Sequence, residues 1–134
     1  MLETISGVVI AVGLIFLTVI LNKYFTTKLI AAAILVAIAF IYVGFALKDN
    51  SIPFILLEIS MAIIFFFLAI VGYTKRNALL GYGIILHGVW DIFHHNGWFV
   101  STDIPVYWPV FCLTIDLIYG VYLLYIFKKL PAWV

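Results

Sequence analysis

Five long apolar stretches, parted by short polar breaks, limit this chain to very few folds. They run over about 5–21, 29–47, 52–73, 78–98 and 107–127. A helix needs roughly 20 residues to cross about 30 Å of hydrocarbon, and each stretch is near that length. Barrel strands are about half as long and alternate in polarity, which these stretches do not. Inside a bilayer, that leaves helices as the structure that satisfies its own backbone hydrogen bonds. The expected fold is therefore all-α: one transmembrane domain spanning residues 1–134, a polytopic bundle of five transmembrane helices. Composition agrees. The chain is 67% hydrophobic and 10% charged, whereas soluble domains are roughly 45–50% apolar and about 25% charged. Its net charge of +1 comes from scattered cations, so a nucleic-acid partner is not expected. The single cysteine, Cys112, excludes an intrachain disulfide and a thiolate zinc cluster. Met1-Leu2-Glu3 lacks the basic start of a secretory signal, so the first stretch reads as a retained helix.

The breaks carry ordinary stop and start signals. Asp49-Asn50-Ser51 before Pro53 reads as a helix cap with proline in the first turn. Lys75-Arg76-Asn77 ends the third stretch and Asn96-Gly97 the fourth. Ser101-Thr102-Asp103, with Pro105 and Pro109, introduces the fifth. Cations set the expected orientation. Lys23 and Lys28 flank the first break, Lys75 and Arg76 fill the third, and Lys128 and Lys129 follow the last helix. These alternate breaks belong in the cytoplasm by the positive-inside rule. The N-terminus is then outside and the C-terminus cytoplasmic, in a multi-pass protein expected in a prokaryotic plasma membrane. Trp98, Tyr107 and Trp108 fall at the outer interface and Trp133 at the inner one.

Ionisable side chains inside a bilayer are costly, at roughly 2.5–3.5 kcal/mol for a central Asp on insertion scales. This chain has a cluster of them. The fourth stretch reads His87-x-x-x-Asp91-x-x-His94-His95. At about 100° per residue, these four side chains share one face of a helix. Glu58 and Asp116 sit in the third and fifth stretches. At a rise of about 1.5 Å per residue, all six groups fall in the outer half of the bundle. None would choose lipid, so the expected arrangement turns them toward one another.

Imidazoles and carboxylates without a thiolate pair suit zinc, iron, copper or manganese. The expected metal ligands are His87, Asp91, His94 and His95. Glu58 and Asp116 are the candidate catalytic carboxylates, as orienters of a ligand or as general bases. A metal-free acid/base pair, a proton relay and a polar stripe joining helices use the same residues. On the fifth helix Cys112 reads as a small packing residue one turn before Asp116, and Tyr119 as a residue that packs on Asp116 or hydrogen-bonds to it. Gly81, Gly83 and Gly88 mark close helix approach, with Gly44 and Gly72 in the same role elsewhere. The first two helices, with Thr18 and Tyr42 their main polar groups, read as scaffold.

The pattern His87-x-x-Trp90-Asp91-x-x-His94-His95, followed by Pro109, Cys112 and Asp116, resembles a family of small integral membrane proteins grouped as a domain of unknown function. The resemblance implies that this polar constellation belongs together and implies no activity. Trp90-Asp91-x-x-His94-His95 is also distantly similar to the His-x-x-His-His boxes of membrane desaturases and hydroxylases, with Asp91 where the first His stands. Two functions remain open at this point. One is a membrane-embedded divalent-metal site acting on a lipid or other apolar substrate. The other is a non-enzymatic accessory subunit of a larger membrane complex.

Overall fold

The computed structural model describes residues 1–49, 51–95, 100 and 104–129. The Asn96-Gly97 stop, the Ser101-Thr102-Asp103 cap, Trp98 and Trp133 lie outside the described residues. The described residues form five helices: α1 Leu2–Leu21, α2 Thr27–Asp49, α3 Ile52–Thr74, α4 Ala78–His94 and α5 Trp108–Lys129. Four of them, all but α4, are long and apolar enough to cross a membrane. Ser51 takes the N-cap of α3 with an extended backbone, and Pro53 stands in the first turn. Its hydroxyl makes no capping bond, so the proline supplies the start signal. α4 ends at His94 with His95 as its C-cap, which makes it shorter than the 78–98 stretch read from hydropathy.

Large apolar side chains such as Phe16, Phe67 and Val121 face outward. An apolar exterior around a buried polar interior inverts the soluble pattern and suits a lipid solvent. Within the Phe65-Phe66-Phe67 run, only Phe65 enters the core. The core joins Leu35 of α2, Ala62 and Phe65 of α3, Ile84 of α4 and Leu123 of α5.

α4 lies at the centre. It packs most extensively on α5 and also meets α3 and α2, while α1 lies outside, against α5. Eight of its residues are buried, including His87, Asp91 and His94, against three in α1. The close approach of α4 and α5 is made by Gly81 and Gly120. A Cβ on either glycine would stand 3.0 Å from the carbonyl oxygen of the other. Gly88 does the same for the site, since a Cβ there would meet the Asp116 Cβ at 3.0 Å. Gly72 and Gly83 are also contact glycines, whereas Gly44 has nothing within 4 Å and makes no such contact.

The basic breaks share one end of the bundle. The Lys28 ammonium lies 5.6 Å from the centre of the Tyr73 ring, which joins the start of α2 to the end of α3. Leu124 abuts Gly81, which joins the end of α5 to the start of α4.

Candidate functional site

Two hydrogen-bonded clusters fill the interior around α4. The deeper one begins at His87, whose Nδ1 lies 2.7 Å from Asp116 Oδ2. Gly88 permits this contact, because only a residue without a side chain lets α5 bring Asp116 so near. Asp91 lies one turn beyond His87 on the same face, with 3.9 Å between Nδ1 and Oδ1. Its Oδ1 accepts a 2.6 Å bond from the Tyr42 hydroxyl of α2. All three ionisable residues are at most 3% exposed, so water does not screen them.

The second cluster lies one turn along α4. His94 Nε2 is 2.8 Å from Glu58 Oε1, and the Trp90 indole donates to Glu58 Oε2 at 3.2 Å. His94 Nδ1 lies 3.1 Å from the Trp90 carbonyl. A carbonyl only accepts, so Nδ1 carries a proton there. The Nε2–Oε1 contact then shares one further proton between imidazole and carboxyl. Every polar atom of Glu58 and His94 therefore has a partner. The Tyr42 ring stacks on His94 at 4.1 Å between centroids, with 18° between planes, and so touches both clusters.

The deeper cluster is not saturated. His87 Nε2 and Asp91 Oδ2 are buried without a hydrogen-bond partner among the described residues. The Ile38 backbone approaches the imidazole without forming a bond of ordinary geometry. Buried polar atoms are nearly always paired, and each exception calls for a cause. One ligand atom from each of His87, Asp91 and Asp116 lies within 4.8 Å of the others, a group that could hold a metal ion.

Hence the structure groups Asp116 with His87 and Asp91, and it pairs His94 with Glu58. His95, half-buried at the end of α4, borders with Asp91 and Pro109 a recess of about 260 Å³ between α4 and α5. On the other side, His87, Asp116, Tyr42, Cys112 and Trp108 wall a cavity of about 140 Å³.

Three residues differ from their sequence reading. Tyr42 is not scaffold: it holds Asp91. A lone tyrosine in an apolar helix carries no sign of its partner, so only the packing of α2 on α4 reveals this. Trp108 is not simply an interfacial anchor. Its indole nitrogen is buried beside the cavity without a hydrogen-bond partner among the described residues, and its ring meets Phe45 and Phe111. Tyr119 bonds Thr18 of α1 at 2.9 Å, away from Asp116.

Fold and site together define a multi-pass helical bundle whose apolar exterior encloses a buried His/carboxylate group. The chain belongs to the family of unknown function DUF6010, which matches residues 2–129. No curated protein and no solved structure matches it.

Proposed function

We propose that this protein is a five-crossing membrane protein that holds one divalent metal ion between His87, Asp91 and Asp116. The observation that carries the reading is the buried group itself: His87 Nδ1 lies 2.7 Å from Asp116 Oδ2 and 3.9 Å from Asp91 Oδ1, within metal-ligand reach, and Asp91 Oδ2 has no hydrogen-bond partner among the described residues. Two carboxylates balance a dication, so the loaded site is neutral overall, the form a membrane interior tolerates best. Without the cation, two carboxylates face each other across one imidazole in the same low-dielectric space. One nitrogen and two oxygens suit zinc, iron or manganese, with copper less well matched. A divalent ion held by these three residues would supply Lewis acidity to an oxygen-bearing group at the site. Tyr42 positions Asp91, and the recess bordered by Asp91 and His95 is the way in for the ion. Glu58 and His94 brace α3 against α4. The cation-rich end is cytoplasmic and the polar clusters lie toward the outer face.

A second reading has one observation in its favour. Ligands on one tetrahedral ion sit about 3.4 Å apart at metal bonds of about 2.0–2.2 Å. The His87–Asp116 distance of 2.7 Å is instead that of a shared proton. A metal-free network that carries or holds protons fits that distance. Metal analysis of the purified, folded chain separates the two. The expected result is one divalent ion per chain in the wild type, lost in both His87→Ala and Asp91→Ala. A wild type that takes up no zinc, iron, manganese or copper leaves the proton network in its place.

A further inference from the structure

The seam between α1 and α2 is open, since α1 packs on α5 and scarcely touches α2. A groove of about 460 Å³ runs along it, walled by Leu14, Leu17 and Leu21 of α1 and by Ile30, Ile34 and Ala37 of α2. Ile10 of α1 and Ile38 and Ile41 of α2 continue the same two helix faces, and they wall the cavity that contains His87 and Asp116. Ile10, Leu14, Leu17 and Leu21 follow one another at three- and four-residue steps, which places them in one line. Groove and cavity therefore lie end to end, from the cation-rich end of the bundle to the buried site.

Among the described residues, buried polar atoms without a partner border only one end of this path. Thr18 borders the groove, but its hydroxyl is bonded to the Leu14 carbonyl and to Tyr119. The cavity, in contrast, is bordered by two residues that each carry an unpartnered buried nitrogen, Trp108 Nε1 and His87 Nε2. An indole N–H only donates, so it calls for an acceptor on whatever lies beside it.

We infer that the α1/α2 seam admits a single-chain amphiphile from the membrane. Its alkyl chain lies in the groove and its oxygen-bearing end reaches the cavity, where Trp108 donates to the oxygen. The inference rests on the reading of His87, Asp91 and Asp116 as a reactive centre, and it names the substrate class of that centre. The path explains why a buried site needs no opening to water on the α1/α2 side.

The test uses the full chain in lipid nanodiscs and a long-chain alcohol with a photoactivatable diazirine next to its hydroxyl. Crosslinked residues are mapped by peptide mass spectrometry. Labelling is expected at Ile10, Ile41, Trp108 or Cys112. Leu17→Trp fills the groove from an exposed position of α1 and should lower that labelling at least about five-fold. Trp108→Phe removes one hydrogen bond and should lower it by a similar factor, about five-fold. Leu56→Trp, on the lipid-facing side of α3, should leave it unchanged. Labelling at Leu21 and Phe25 would mean that the chain lies the other way round, as a lipid tail does, and overturns the inference. Even labelling of lipid-facing residues, or indifference to Leu17→Trp, overturns it as well. Metal content measured on the same samples keeps the two readings apart. Metal without cavity labelling defeats the groove alone, and cavity labelling without metal defeats the metal centre alone.

Discussion

Tyr42 holds the polar interior together at the scale of single residues. It donates to Asp91 and stacks on His94, so it contacts both clusters from a helix that has no ionisable partner of its own there. Replacing it with Phe removes the one bond that Asp91 makes among the described residues. Leaving a buried acceptor unsatisfied costs about 1–3 kcal/mol. Tyr42→Phe should therefore lower the melting temperature in detergent, and added zinc should restore part of the loss if the ion binds Asp91. Asp91→Asn tests the charge itself. Asn keeps the volume and can still accept from Tyr42, so the fold should persist while bound metal falls at least ten-fold by elemental analysis. Glu58 behaves differently because both of its oxygens are engaged. Removing one partner of a buried pair costs about 3–5 kcal/mol. Glu58→Ala should melt earlier yet keep its metal, and an equal loss of metal would show that the two clusters act as one site.

Among the elements, α4 carries both clusters and is the shortest helix. Its position depends on glycines rather than on large side chains. A Cβ at Gly120 would stand 2.6 Å from Ile85 Cγ1 and 3.0 Å from the Gly81 carbonyl oxygen. The second contact is with backbone, which cannot swing aside. Overpacking typically costs about 1–3 kcal/mol. Gly120→Val should therefore destabilise the bundle and displace Asp116 one turn away, which a thermal melt and metal content would both register. Gly44 supplies the control. Nothing lies within 4 Å of its missing Cβ, and Ala is better than Gly in a helix by up to about 1 kcal/mol. Gly44→Ala should raise the melting temperature slightly. A loss of stability there would mean that α2 has a neighbour in the membrane.

The whole molecule is polarised by charge. Lys28, Lys75 and Arg76 gather at one end, with Lys128 and Lys129 at the close of α5. The orientation proposed from the positive-inside rule puts that end in the cytoplasm. With Cys112 replaced by Ala, a cysteine at Lys75 should resist an impermeant external thiol reagent, and one at exposed Tyr107 should react. The opposite pattern would reverse the orientation and place the metal site nearer the cytoplasm.

Hydrophobic run length and charge placement were enough, without coordinates, to define five helices and an apolar exterior. Both properties are local, and a bilayer penalises every alternative through unsatisfied backbone groups. The polar face of α4 was legible for the same reason: His87, Asp91 and His94 follow helical spacing. Which of them meet was not legible. His94 and Asp91 lie three residues apart on one face, yet α3 brings Glu58 to the first, while α2 and α5 bring Tyr42 and Asp116 near the second. Those choices depend on how far helices can approach, which Gly81, Gly88 and Gly120 set through contacts between residues distant in the chain. The end of α4 at His94 and the burial of the Trp108 indole also belong to the packed bundle. Periodicity tells which side of a helix avoids lipid; only the tertiary structure decides what it faces instead.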